Sequence, residues 1–108
     1  MTSISTHVLD TALGRPARGV PVRLETQDGT VLAEAVTDDD GRVGQLGGDD
    51  LAPGRVRLVF DTAAYLATTG EPAFFPEVVV TIDVFDGDGR LHVPLLLSPF
   101  AYSTYRGS

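Results

Sequence analysis

The sequence holds 108 residues, one domain's worth, and enough chain to bury a core without help from a metal or a disulfide. It contains no cysteine, which excludes disulfides, zinc–thiolate sites and thiol nucleophiles. Its 15 acidic residues against 8 basic ones leave a net charge of −7 with no Lys/Arg cluster, which argues against nucleic acid and anionic membranes as partners.

Taken in chain order, the dominant period is two. Ile4, Thr6 and Val8 alternate with Ser5, His7 and Leu9, the pattern of a strand with one buried face. Val20, Val22 and Leu24 alternate with Pro21, Arg23 and Glu25. The turn Gln27-Asp28-Gly29-Thr30 then leads into Val31 to Thr37, which predicts a hairpin. Asp38 to Gly41 reads as an acidic turn closed by glycine. It lacks the ligand spacing and terminal glutamate of a calcium loop. Arg42 follows directly, where a guanidinium either forks onto a carbonyl or anion or simply faces solvent.

Gly44 to Gly54 is a loop rich in glycine and acid, and Val56, Leu58 and Phe60 mark the next strand. Only Thr62 to Thr68 looks helical, with Asp61 or Thr62 as N-cap and Gly70 just past the end. Pro72 and Pro76 bracket a connection to the strand Val78, Val80, Ile82 and Val84. Asp86-Gly87-Asp88-Gly89 predicts a second hairpin turn, joining that strand to Leu91 through Ser98. Short strands separated by turn signals imply an all-β fold, an antiparallel sandwich or barrel with one short helix.

The last strand breaks the rule that an exposed face is polar. Leu91, Val93, Leu95 and Leu97 face the core, which leaves His92, Pro94, Leu96 and Ser98 on the other side. A leucine-, proline- and histidine-bearing outer face calls for a cover, and a second subunit is the expected one. The chain then runs into Tyr102-Ser103-Thr104-Tyr105-Arg106-Gly107-Ser108. That stretch holds aromatics, a cation and hydroxyls where a terminus ordinarily frays, and it reads as placed for a site.

His7 and His92 are the only histidines, and each has the parity opposite to its strand's core set. Both therefore point to one outer surface, where imidazoles hold or pass protons; taken singly, either also reads as an ordinary surface residue. Two histidines are too few for a catalytic zinc site, and Asp10, three residues from His7, is badly placed to chelate from one strand face. No Gly-x-Ser-x-Gly elbow and no glycine-rich phosphate loop is present. Hydrolysis here would use activated water rather than a serine acyl-enzyme. No apolar segment behind a basic start marks a secretory signal, the apolar runs fall far short of the ~20 residues of a membrane span, and no Ser-Lys-Leu ending is present. A cytoplasmic protein is the expectation.

Three separated segments carry a family resemblance. They are Ile4-Ser5-Thr6-His7-Val8-Leu9-Asp10 running on to Gly14-Arg15-Pro16-Ala17, then Asp40-Gly41-Arg42, and last His92-Val93-Pro94-Leu95-Leu96-Leu97-Ser98 through Tyr105-Arg106-Gly107-Ser108. With Phe74-Phe75-Pro76 between them, the chain resembles the 5-hydroxyisourate hydrolases, the enzyme relatives of transthyretin, over nearly its whole length. The resemblance implies a transthyretin-like antiparallel β-sandwich of seven or eight strands. It also implies a homotetramer built as a dimer of dimers, with active sites at the dimer–dimer interface. The implied reaction is hydrolysis of the small molecule 5-hydroxyisourate in urate degradation. His7, Arg42, His92 and Ser108 would be catalytic; His7, Arg42, Tyr105, Arg106 and Gly107 would contact substrate; neither metal nor organic cofactor would take part. Two positions depart from the family pattern: Arg90-Leu91 stand where many relatives carry His-Tyr, and Ala101 stands where glycine is common. The competing reading is a non-enzymatic, transthyretin-like tetramer that binds a small aromatic ligand in the same channel. An adhesion sandwich is disfavoured by the missing signal segment and disulfides.

Overall fold

A computed structural model describes residues 2–108. Its first strand, β1 (Ser3–Asp10), buries every second residue, as the alternation predicts. In order there follow β2 (Arg15–Pro16), β3 (Pro21–Thr26), β4 (Val31–Val36), β5 (Arg42–Val43), β6 (Gly54–Phe60), α1 (Thr62–Thr69), β7 (Val78–Val84), β8 (Arg90–Leu97) and β9 (Tyr102–Thr104). The strands make two sheets. One runs β4-β3-β6-β7; the other runs β2-β1-β8-β9, with β5 also pairing to β1. The fold is thus a β-sandwich with one short helix.

The first sheet is antiparallel throughout: β3 and β4 form the predicted hairpin, β3 also pairs with the later β6, and β6 with β7 beyond the helix. The second departs from a fully antiparallel arrangement at its centre. There β1 and β8 run parallel, in register from Ser3 opposite Arg90 to Asp10 opposite Leu97. The Asp86–Gly89 turn also needs correcting. Its own bonds are those of a tight turn, Asp88 N–H to the Phe85 carbonyl at 3.2 Å and Phe85 N–H to the Asp88 carboxylate at 2.8 Å. Yet β7 and β8 do not pair. The ladder of β7 is made with β6 and those of β8 with β1 and β9, so the turn carries the chain from one sheet to the other instead of closing a hairpin.

The core lies between the sheets. Ile4, Val8, Leu95 and Leu97 meet Leu24, Leu58, Phe60 and Val78, all fully buried. The helix begins and ends where its capping residues predict. Asp61 accepts the Ala64 N–H at 3.0 Å, and Gly70 takes the left-handed conformation at φ +74°. Its buried Tyr65 donates to the buried Asp10 carboxylate at 2.6 Å, tying the helix to the end of β1. Burial and the neighbouring carboxylate push the Tyr65 phenol up to about 12. Among the described residues no helix is long and apolar enough to cross a membrane.

Candidate active site

The register of β1 places the site. Residues directly opposite one another in a ladder share a face of the sheet. On the parallel side Ser5 stands opposite His92 and His7 opposite Pro94; on the other side His7 stands opposite Arg42. His7, Arg42 and His92, singled out by residue type and parity, are thus gathered on one outer face by three adjacent strands.

Arg42 is delivered by the acidic turn. The Asp38 carboxylate accepts the N–H groups of Asp40 and Arg42, each at 2.9 Å, and the Gly41 N–H donates to the Asp38 carbonyl at 2.9 Å. Gly41 sits at φ +77°, and a Cβ there would collide with the Val8 carbonyl oxygen. Only glycine lets the turn dock this closely on β1, where Val8 N–H donates to the Gly41 carbonyl at 2.7 Å. The turn also fixes His7. Its Nε2 lies 2.9 Å from the Asp40 carbonyl oxygen. A carbonyl only accepts, so Nε2 carries the hydrogen, and the lone pair of the neutral ring sits on Nδ1.

His92 is half-buried, and its Nδ1 lies 2.8 Å from the Ser5 hydroxyl. Burial holds its imidazole below the ordinary value, and the positive charge of Arg42, then the neighbouring His7, act in the same direction. The terminal segment closes over it. Gly107 N–H donates to the His92 carbonyl at 2.7 Å, and Ser108 lines the same cavity as His92. Ser5, Arg42, Gly44, Arg90, His92 and Ser108 line a cavity of about 380 Å³. Its walls carry two guanidiniums and no side-chain carboxylate, in a chain where acids outnumber bases. Such a site suits a ligand that bears or develops negative charge.

Tyr105 and Arg106 lie elsewhere. They border a second, mostly apolar hollow of about 250 Å³ with Val80, Ile82, Leu91 and His92, so that His92 is common to both spaces. On the outer face of β8, Pro94 is already buried within the chain, whereas His92 and Leu96 are half-exposed. Among the described residues no three His, Asp or Glu side chains gather as a metal site requires. Ser5 and the Asp40 carbonyl are partners that sequence reading did not assign. Ser5 shares His7's parity, but its contact with His92, 87 residues away, appears only in the strand register.

The chain is similar over its length to known proteins. The chain is 45% identical to the 5-hydroxyisourate hydrolase of Caulobacter vibrioides, over the full length of both. It superposes on the structure of Klebsiella pneumoniae 5-hydroxyisourate hydrolase with a TM-score of 0.92 and 37% identity, each chain covered completely. Sea bream transthyretin in complex with thyroxine matches with a TM-score of 0.86 and 32% identity, over 96% of this chain and 93% of that one. The family model described as HIUase/Transthyretin matches residues 4–107, and the chain belongs to the HIUase/Transthyretin family.

Proposed function

We propose that this protein hydrolyses 5-hydroxyisourate to 2-oxo-4-hydroxy-4-carboxy-5-ureidoimidazoline, a step in urate degradation. The observation that carries the reading is the convergence of His7, Arg42 and His92 on one face of β1, β5 and β8, beside a cavity rich in positive charge. Full-length likeness to proteins named for this activity supports it.

The chemistry follows from the groups. Water attacks a ring carbonyl, a proton leaves the water as the new C–O bond forms, and the ring C–N bond then breaks with a proton delivered to the departing nitrogen. His92, kept neutral by burial and by neighbouring positive charge, takes the proton from water and returns it to nitrogen. His7, with Nε2–H committed to Asp40, offers Nδ1 to position the water. Arg42 stabilises the oxyanion at the attacked carbon, an electrostatic role worth several kcal/mol. Ser108 closes the cavity beside Arg42 and His92, and Gly107 brings it there. Tyr105 and Arg106, across His92, are substrate contacts. Neither a metal nor an organic cofactor enters the scheme.

The assembly that fits is a homotetramer with its sites at the interface between dimers. The half-exposed His92 and Leu96 on the outer face of β8 support it. A cytoplasmic location goes with this role. The second reading is a ligand-binding tetramer without turnover, favoured by the likeness to thyroxine-bound sea bream transthyretin. One assay separates the two. 5-Hydroxyisourate is generated with urate oxidase and its ultraviolet decay followed with and without micromolar protein. Acceleration over the spontaneous rate is expected, and its absence would sink the enzyme reading.

A further inference from the structure

We propose that Ser5 is a positioning residue for His92: its hydroxyl oxygen accepts the Nδ1–H of the neutral imidazole, which leaves Nε2 as the unprotonated nitrogen that serves the reaction. This rests on the hydrolase reading above and adds to it the residue that sets the tautomer of the base.

The argument is geometric. Ser5 and His92 are directly opposed in the parallel ladder, and Oγ and Nδ1 stand 2.8 Å apart. From the other side Gly107 presses on the ring, because a Cβ at that position would lie 2.5 Å from His92 Cδ2. Cδ2 and the Nε2 bonded to it therefore face the terminal segment, while Nδ1 faces β1. The imidazole is held at both edges, and only Nε2 remains for substrate or water.

A hydroxyl differs from a carboxylate in this position. A carboxylate behind a catalytic histidine stabilises the imidazolium as well as orienting the ring. Serine orients it without adding charge. The titratable and charged groups around His92 are His7 on β1, Arg42 on β5, Arg90 on β8, Asp83 on β7 and Tyr105 with Arg106 in the terminal segment. Ser5 is uncharged, and replacing it leaves the surrounding charge intact.

The test uses the full chain. Long-range ¹H–¹⁵N correlation spectra at neutral pH read which nitrogen of His92 carries the hydrogen. In the wild type Nδ1–H is expected. In Ser5→Ala the signal should move toward Nε2–H, and kcat should fall on the order of 10- to 100-fold with KM little changed, while the acidic limb of the pH profile stays in place. Ser5→Thr keeps the hydroxyl and should restore both tautomer and kcat. An Nε2–H tautomer in the wild type overturns the proposal, as does a Ser5→Ala variant with unaltered tautomer and kcat. If the protein does not turn over 5-hydroxyisourate, the tautomer measurement still decides the role of Ser5, so the two readings fail separately.

Discussion

Gly107 and His92 are in direct contact: the glycine N–H donates to the histidine carbonyl at 2.7 Å, and a Cβ on the glycine would lie 2.5 Å from Cδ2 of the imidazole. A residue far along the chain thereby determines where a proton-transferring ring sits. Glycine is required because even a methyl group would overlap Cδ2. Gly107→Ala should lower kcat at least roughly tenfold through displacement of the ring. Its cost in stability should be only about 1–3 kcal/mol, because the overpacked contact lies outside the core. Steady-state kinetics and urea denaturation measure the two effects, and an alanine variant with wild-type kcat would remove the contact from the mechanism.

The histidines themselves are outer-face residues of a sheet whose core is packed from the opposite face. His7→Ala and His92→Ala should each lose activity by roughly 10²- to 10⁴-fold, the usual range for general acid–base groups. Circular dichroism and thermal melting should remain close to wild type. Near-normal turnover in either variant would take that histidine out of the reaction.

The depressed value of His92 has a defined sign. Burial, then Arg42 and His7, disfavour the imidazolium in the folded protein. The acidic limb of kcat/KM should therefore fall below the ordinary imidazole value of 6.5, with activity lost only as pH drops through the lowered value. The same shift makes a contribution to stability that is complete above 6.5 and is lost as pH falls below it. Arg42→Met, which removes one positive charge, should move the limb of the residual activity upward. A limb at or above 6.5 in the wild type would contradict the assigned environment.

Tyr65 gives the opposite case at high pH. Its phenol is raised from 10.0 to about 12, so the folded state holds that proton more tightly than the unfolded chain does. The resulting stability is complete below pH 10.0 and is lost between 10.0 and about 12. Tyr65→Phe should be less stable at neutral pH by about 1–3 kcal/mol, because the buried Asp10 carboxylate keeps the Leu13 N–H but loses the Tyr65 hydroxyl on its other oxygen. The variant should also lack the wild type's loss of stability over that alkaline range. Urea titrations at several pH values test both statements, and activity at neutral pH should change little.

Removal of Tyr105 to Ser108 leaves β9 intact, since its pairing with β8 ends at Thr104. The shortened chain should fold and melt cooperatively, yet show no catalysis above the spontaneous rate. Normal turnover by the truncated protein would mean that the terminal segment is no wall of the active site.

Much of this was legible in the sequence because alternation, capping and parity are local. The strand around Val22 and Leu24, the helix between Asp61 and Gly70 and the common facing of His7 and His92 all follow from residues a few positions apart. What escaped depends on pairing between distant segments. Asp86 to Gly89 has the chemistry of a hairpin turn, and nothing in it reveals that the strands on either side belong to different sheets. Ser5 looks like any outer-face serine until the parallel register sets it against His92. Tyr105 and Arg106 follow the site strand closely in the motif, but the reversal through Ser98 and Ala101 carries them to the far side of the ring.

The parallel pairing of β1 with β8 has a further consequence, for the order in which the molecule is made. In the sheet β4-β3-β6-β7 the partners most distant in sequence, Val22 and Phe60, are far closer along the chain than those joined by β1 and β8. The other sheet must bring together segments 87 residues apart before Ser5 can meet His92. Contacts so distant in sequence carry the larger entropic cost of closure and form slowly. In refolding, far-ultraviolet signal and burial of the first sheet should therefore return before activity does. Catalytic competence is then a late acquisition of the folding chain, and its recovery reports that both ends of the chain have met.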